Sequence, residues 1–463
     1  MKNIFTYTGN PFVDAGITAM LVWFGKDKPE EIEKEDLEKL IDEITDLYIK
    51  EGWNKIMYSI FPNSKLTNPS VKDKKGEYGK FLNELLSEIT PLSTEGNCIA
   101  CGRRNSKRHF TKTQVPLTGT SDFVNFFSYG SEGADYCSAC ALAIQFSPLI
   151  FYKAGNLVCL QSNNKEVEKI YANKCKAFID MQKATKKYTG CNDEGYTNPI
   201  NALFHLATDI ILTYDRRDWQ KENTNIRLYY FTNFNQPPID NLSIYDMPDK
   251  IFKFLAYALQ HEEKDNWKKI IKRGYISSKK VDLEDEGKYK NLRNDVYERL
   301  LRGQSILGYF IDASERKTLV NWSFLEYYMK GVRGLEEKRL ETIKRVSDDI
   351  AQLIKMKGNV RRLTQLETSK TYGDFRNVLR LIIKDRISAG LEKPLFTIDE
   401  YEKYLFPEGN LSWKETQDLI IFRLYEQLHN WLVDNSNEEI KESLIKNDEI
   451  ESENKDKEEL IYE

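Results

Sequence analysis

Two cysteine pairs with identical spacing constrain this chain more than any other feature. Cys98-Ile-Ala-Cys101 and Cys137-Ser-Ala-Cys140 supply four of its seven cysteines. Each CxxC turn points two thiolates in one direction, so two such turns offer Zn²⁺ the four sulfur ligands of a tetrahedral site. The spacing alone also permits four buried thiols or a redox pair. Because four protein ligands leave no position for a reactive water, the predicted zinc site is structural.

A positively charged stretch, termed here the basic arm, follows the first cysteine pair. Residues 103–112 contain no acid and five basic residues, which are Arg103, Arg104, Lys107, Arg108 and Lys112. A polar, basic loop that a metal holds in place is a typical phosphate-binding surface. The alternative is a solvated loop without a ligand. We expect these five side chains to contact nucleic-acid phosphates, in a manner that is sensitive to salt and independent of base sequence.

Length and composition indicate a globular protein of two or three domains. The chain has 463 residues, of which 40% are hydrophobic and 30% are charged. Its longest strongly apolar run, residues 19–24, is too short to span a membrane. No long apolar segment follows Met1, so we expect no signal peptide. Clustered CxxC pairs in such a chain predict a reducing cytoplasmic location and a metal rather than disulfides.

The net charge of −4 conceals an uneven distribution of charge. Residues 435–463 hold 11 acidic and 4 basic residues, whereas residues 338–386 hold 13 basic and 6 acidic residues. This asymmetry favours local nucleic-acid contact over a uniformly basic surface. The predicted contact residues in the basic region are Arg361, Arg362, Arg376 and Arg380.

Hydrophobic periodicity predicts an early helix, a hairpin and a long helical C-terminal part. We expect Asp14 to cap a helix that ends at Gly25. Residues 149–153 and 157–161 have the composition of a β-hairpin, and residues 226–231 that of a strand. From Pro248 onward, helical patterns follow one another almost without interruption.

These patterns predict an α+β fold with a mixed N-terminal portion, a four-cysteine zinc-binding insertion and a mostly helical C-terminal bundle. The predicted regions are 1–97 (helical and mixed), 98–140 (zinc-binding module with the basic arm), 141–334 (mixed continuation), 335–433 (helical bundle) and 434–463 (acidic tail).

Three amide side chains follow the strand predicted for residues 226–231. Asn233, Asn235 and Gln236 at a strand end are able to hydrogen-bond base edges. Asn and Gln beside the prolines at 237 and 238 are also ordinary turn formers, which is the alternative.

No set of residues in the sequence assembles into a catalytic site. The four histidines are scattered, and no phosphate-binding glycine loop or nucleophile elbow is present. A thiol- or zinc-dependent enzyme would need an open metal position or a reactive cysteine, for which Cys159, Cys175 and Cys191 are the candidates. None of them has a histidine nearby in sequence. We therefore expect a protein that is not an enzyme.

The chain resembles the CRISPR-associated CXXC-CXXC family over its whole length. The resemblance rests on residues 8–16 (Thr-Gly-Asn-Pro-Phe-Val-Asp-Ala-Gly), on both cysteine pairs and on residues 233–236 (Asn-Phe-Asn-Gln). The family comprises large subunits of type I-B Cascade-like interference complexes in antiviral defence. The resemblance therefore implies a non-catalytic subunit that recognises the protospacer-adjacent motif, helps to open the duplex and recruits the helicase–nuclease.

The same resemblance implies a set of partners. These are the crRNA, near whose 5′ handle the subunit would lie, double-stranded target DNA, the backbone and 5′-handle-binding subunits, and the helicase–nuclease, with no membrane. The C-terminal bundle would correspond to a small-subunit-like module. The alternative function is a zinc-stabilised scaffold or adaptor that binds other proteins without nucleic acid.

Overall fold

The computed structural model describes residues 4–118, 133–213, 218–233, 241–277, 282 and 284–434. Helices predominate and several small sheets accompany them, so the predicted α+β fold is confirmed. Among the described helices, none is long and apolar enough to cross a membrane.

The chain divides into two compact units. The described residues of Met1–Phe252 and Lys279–Arg293 form the first unit, and those of Lys253–Ser278 and from Asn294 onward form the second. The predicted boundary at residues 334 and 335 falls inside the second unit, because elements before it pack with the helical bundle. The acidic tail lies outside the described residues from position 435 onward.

The first unit combines helices with one larger sheet. Its elements before the unit boundary are α1 (Pro11–Phe24), α2 (Lys34–Tyr48), α3 (Glu51–Ile60), α4 (Lys74–Ser87), β1 (His109–Phe110), β2 (Ala134–Asp135), α5 (Ser138–Phe146), β3 (Tyr152–Ala154), β4 (Asn156–Ser162), α6 (Lys165–Thr185), β5 (Asn192–Asp193), α7 (Pro199–Thr213), β6 (Ile226–Thr232) and β7 (Asn241–Met247). The boundary falls within α8 (Asp249–Gln260).

The remaining elements belong mainly to the second unit. They are α9 (Lys264–Arg273), β8 (Tyr275–Ile276), α10 (Glu286–Tyr289, in the first unit), β9 (Arg293–Asn294), α11 (Asp295–Leu301), β10 (Ile311–Asp312), β11 (Lys317–Thr318), α12 (Trp322–Gly331), α13 (Glu337–Lys357), α14 (Arg361–Glu367), α15 (Tyr372–Ser388), α16 (Ile398–Glu400) and α17 (Trp413–Asp434).

The larger sheet contains five strands in the order β5-β3-β4-β6-β7. The pair β3–β5 is parallel, and the other neighbouring pairs are antiparallel. The predicted hairpin is confirmed as β3 and β4, which turn at Gly155 with φ 79°. Its first strand begins later than predicted because Ser147–Ile150 forms a 3-10 helix. The strand predicted for residues 226–231 is confirmed as β6.

Helix α1 begins earlier than predicted, and a different residue caps it. The Asn10 side chain accepts hydrogen bonds from the backbone N–H groups of Phe12 and Val13, and Pro11 occupies the first helical position. Proline is favoured at that position, because the N–H group that it lacks would have no hydrogen-bond partner within the helix. The predicted cap, Asp14, is instead buried and accepts hydrogen bonds from Thr8 and Gly9. The prediction of Asp14 as the cap was therefore wrong.

Helix α1 is closely packed against α5 and the sheet. A Cβ atom added at Gly16 of α1 would lie 1.8 Å from the carbonyl oxygen of Ala143 on α5. Edge-to-face contacts of Phe12 with Phe151, which directly precedes β3, and with Phe231 of β6 connect α1 to the larger sheet. Because α5 also carries Cys140, this core fixes the position of the second cysteine pair.

The second unit has an aromatic core beside its helical bundle. Phe254, Trp267, Phe324 and Tyr328 form one cluster of ring contacts. Trp322 of α12 contacts Phe422 of α17, with ring centroids 6.1 Å apart. Residues on both sides of position 335 therefore share a core.

Candidate metal centre

The four predicted ligands lie together at one site. The sulfur atoms of Cys98, Cys101, Cys137 and Cys140 are all within 4.8 Å of one another. Cys101 Sγ and Cys137 Sγ are 3.8 Å apart. Zn–S bonds of about 2.3 Å at tetrahedral angles place two sulfurs about 3.8 Å apart, so the cluster has the dimensions of a zinc site with four cysteine ligands. Three of the thiols are buried, and Cys101 is partly exposed.

Backbone hydrogen bonds shape both cysteine turns. Gly102 has φ 61° and donates its N–H to Cys98 O at 2.8 Å, which closes the first turn. The second turn leads directly into α5, where the Ala141 N–H donates to Cys137 O at 2.9 Å. A hydrogen bond of 2.8 Å from Ile99 N to Asp135 O connects the two turns. The positive φ at residue 102 explains why glycine follows the first pair.

The thiols are too close together to ionise independently. Hydrogen bonds from Cys137, Cys140 and Cys98 stabilise the thiolate of Cys101 and lower the pKa of that residue. The contact with Cys101 in turn raises the pKa of Cys137. Four thiolates at this spacing need a cation between them, and a soft four-sulfur set suits zinc. His109 is not part of this set, since its Nδ1 lies 2.7 Å from Asp135 Oδ1.

The structure separates the five residues of the basic arm into exposed and enclosed side chains. Arg103 and Lys107 are exposed, but Arg104 and Lys112 are buried. Arg104 Nε donates to Thr90 O at 2.6 Å. The prediction that Arg104 and Lys112 contribute to a surface for phosphate does not hold in this fold, because both side chains are enclosed.

Arg108 connects elements around the metal centre. Its guanidinium forms an ion pair with Glu88, and its Nη1 lies 3.9 Å from Glu84. Glu88 also accepts a hydrogen bond of 3.0 Å from Ser138 Oγ at the start of α5. Arg108 therefore joins the basic arm to α4 and, through Glu88, to the second cysteine turn.

A cavity of about 340 Å³ lies beside Arg108. Its other charged lining residues include Lys65, Lys80 and Glu77, and Tyr78 and Phe81 supply aromatic walls. Sequence reasoning missed Lys65 and Lys80 because no local pattern connects residues 64–81 to the zinc-binding module.

Asn233 is a core residue in the structure. It has 0% exposure, and its Nδ2 donates to Ile60 O at 2.6 Å and to Lys112 O at 3.0 Å. Its Oδ1 accepts from Leu117 N at 3.3 Å. The prediction that Asn233 reads base edges is thus not met, since its polar atoms are occupied inside the first unit. Asn235 and Gln236 lie outside the described residues.

The predicted nucleic-acid contact residues of the second unit differ in their exposure and in their ion pairing. Arg361, Arg376 and Arg380 are exposed, whereas Arg362 Nε donates to Asp385 at 2.7 Å. Arg376 and Arg380 stand at the rim of a groove of about 380 Å³. Phe396 and Tyr401, which sequence reasoning missed, also line this groove. No local pattern connects those aromatic residues with α15.

The comparison with protein families finds a similarity around the metal centre. The model of the family described as CRISPR-associated protein (Cas_CXXC_CXXC) matches residues 92–152. This segment includes both cysteine pairs, the basic arm and α5. The match supports the interpretation that this is a CRISPR-associated protein, and it covers residues 92–152. The resemblance predicted from the sequence was assigned to the whole chain, which this match does not cover. No curated protein and no solved structure matches the chain.

Proposed function

We propose that this protein is the large, non-catalytic subunit of a type I-B Cascade-like effector complex in antiviral defence. The family match over residues 92–152, which contain the four-sulfur cluster, is the observation that carries the proposal. The subunit would bind the crRNA-guided complex and double-stranded target DNA, recognise the protospacer-adjacent motif and help to open the duplex. It would also contact the backbone and 5′-handle-binding subunits and recruit the helicase–nuclease.

Zinc has a structural role in this proposal. Cys98, Cys101, Cys137 and Cys140 would hold the ion, which supplies folding free energy and no chemistry on a substrate. The turns that it stabilises flank the basic arm, where Arg103 and Lys107 are exposed. These two side chains would contact phosphates and position the subunit on DNA, and such contacts carry no base specificity.

The remaining cysteines support a non-catalytic subunit. Cys159, Cys175 and Cys191 are buried, and burial raises the pKa of each thiol, to about 12 for Cys175. A nucleophilic cysteine needs the opposite, a lowered pKa and access to substrate.

The proposal is tested by purifying the tagged chain from its native cell and sequencing any RNA that accompanies it. We expect short, uniform RNAs with a repeat-derived 5′ end that dissociate together with the partner proteins at high salt. Partner proteins without RNA would instead support the alternative, a zinc-stabilised scaffold or adaptor.

The DNA contact is tested separately with the variant Arg103→Glu/Lys107→Glu. Reversing two phosphate-binding charges should weaken DNA binding at least about tenfold at low salt and flatten its salt dependence. The loss should be equal for all DNA sequences. A control is Lys72→Glu/Lys187→Glu, which reverses two exposed charges elsewhere in the first unit. Equal binding by both variants, or a loss limited to particular motifs, would contradict a phosphate contact by the arm.

A further inference from the structure

An apolar groove lies in the second unit between α15 and residues 396–401. Leu379, Ile383 and Phe396 line it, and Ile398 at its edge is 77% exposed. Ile387, one turn beyond Ile383 on α15, is 71% exposed. Large apolar side chains that are exposed next to one another are typical of a binding surface.

Basic side chains follow the same helix. Arg376, Arg380 and Lys384 are spaced four residues apart and are all exposed. Arg376 lies over the ring of Tyr372 at 5.5 Å, and Arg380 donates only to Asn377 at 3.4 Å. Within the described parts of the chain, none of the three forms an ion pair.

Three acidic residues near the groove have partners other than Arg376 and Arg380. Asp374 belongs to the capping box of α15, Asp385 pairs with Arg362, and Glu400 pairs with Arg345. The groove therefore presents apolar walls and two arginines that form no ion pair with the described residues. A ligand that matches it has to combine carboxylates or phosphates with an apolar group.

Residues 435–463 of this chain have that composition. They contain 11 acidic and 4 basic residues, and Ile450 stands between Asp448-Glu449 and Glu451. A branched apolar side chain flanked by carboxylates is complementary to an apolar floor with an arginine rim. These residues lie outside the described part of the chain.

The segment is long enough to return to the groove. It follows α17, a helix of 22 residues that begins at Trp413. The ring centroids of Trp413 and of Phe375 on α15 are 6.1 Å apart. A helix of that length measures about 33 Å. Twenty-nine residues extend to about 100 Å at most and span about 30 Å on average as a coil. The segment is therefore long enough to reach from the end of α17 back to α15.

We propose that residues 435–463 bind the groove of their own chain, with Ile450 on its apolar walls and the flanking carboxylates at Arg376 and Arg380. The bound segment shields this basic surface until a nucleic acid competes for it. Attachment to the same chain gives the segment an effective concentration in the millimolar range, so weak individual contacts suffice. The inference does not depend on zinc or on the family match.

Photocrosslinking in the full chain tests the contact directly. A p-benzoylphenylalanine at position 447, in place of Asn447, should crosslink to residues 376–401 in a yield that does not change with protein concentration. Arg376→Glu/Arg380→Glu should abolish this crosslink. Lys338→Glu/Lys355→Glu, which reverses two exposed charges on α13, should retain it. Crosslinks to other regions, or crosslinks only between copies at high concentration, would overturn the proposal.

Binding of a 20-nucleotide oligothymidine to the full chain tests the shielding. Six substitutions made together should strengthen binding about tenfold at 50 mM NaCl. They are Glu438→Gln, Glu439→Gln, Glu442→Gln, Glu449→Gln, Glu451→Gln and Glu453→Gln. The gain should disappear in the Arg376→Glu/Arg380→Glu background. If binding requires Arg376 and Arg380 but is unchanged by the six substitutions, the groove is an open nucleic-acid surface and the segment does not occupy it.

Discussion

The four cysteine sulfurs determine the local structure of the zinc-binding module at the scale of single residues. Sulfurs separated by 3.8 Å cannot all carry charge without a cation, and each cysteine turn is short. The small pair β1–β2 adds only two residue pairs to hold the module together. We therefore expect a metal bound by these four cysteines to supply much of the stability of the segment.

We expect Cys137→Ser to release the metal. Three remaining thiolates bind Zn²⁺ far more weakly than four, so elemental analysis should fall from one zinc per chain to near zero. The unfolding temperature should fall by about 5 °C or more, which corresponds to a loss of about 2 kcal/mol in a unit of this size. Cys175→Ser is the control for zinc content, because Cys175 lies outside the cluster. Retention of one zinc by Cys137→Ser would contradict the four-sulfur site.

We expect Asn233→Ala to destabilise the protein rather than to change DNA sequence preference. The substitution leaves two buried carbonyls and one N–H without their partner, at a cost of about 2–3 kcal/mol. Urea unfolding should show this loss directly. Asn173→Ala, at an exposed position of α6, should change the free energy of unfolding by less than about 0.5 kcal/mol. Unchanged stability with altered base preference would restore the original interpretation of Asn233.

At the scale of elements, the contact between α1 and α5 connects the core to the metal centre. At Gly16 the two helices are so close that an added Cβ would meet the backbone of Ala143, and α5 carries the predicted ligand Cys140 in its first turn. Any displacement of α5 therefore moves a metal ligand.

We expect Gly16→Ala to loosen both the core and the metal site. The new Cβ would meet backbone atoms of Ala143, which cannot move aside, so the cost should reach about 3 kcal/mol. Zinc transfer to a colorimetric chelator should also become faster. Gly79→Ala on α4 is the matched control, since its Cβ would have an ordinary contact of 3.5 Å with Thr45. An unchanged rate of zinc transfer would show that α5 does not transmit the displacement.

At the scale of the whole molecule, the second unit is larger than the predicted bundle. Arg316 and Glu367 form an ion pair at 2.6 Å, and only 3% and 11% of these side chains are exposed. The backbone N–H of Trp322 donates to Glu426 at 2.7 Å. Both contacts connect residues before position 335 to the bundle.

A fragment of residues 249–434 should therefore unfold cooperatively, whereas a fragment of residues 335–434 should not. Cutting at 335 removes Arg316, the basic partner of the largely buried Glu367, which costs about 3 kcal/mol although Tyr425 still donates to this carboxylate at 2.8 Å. It also removes the aromatic surface of α12. Urea titrations followed by circular dichroism compare the two fragments. A cooperative transition of the shorter fragment would support the boundary predicted from the sequence.

Local sequence determined the features that depend on short-range chemistry. The cysteine spacing predicted a four-sulfur cluster, which the structure contains, and composition predicted β3, β4 and β6. Asn10 and Pro11 set the start of α1 by the same local rules, since Asn is as favourable a cap as Asp and proline suits the first helical position. The atoms that form each turn, strand start or helix start lie within a few residues of one another, whereas the two cysteine pairs that meet are 36 positions apart.

Only the tertiary structure decided which polar side chains remain available to a ligand. Arg104, Lys112 and Asn233 have the residue types of a binding surface, yet they are buried. The Asn233 side chain bonds to Ile60, 173 positions away in the sequence. Burial depends on which distant segments pack together, and a composition or a spacing carries no information about that. For the same physical reason, the cysteine spacing predicted the four-sulfur cluster, but the sequence did not predict which side chains of the basic arm are exposed.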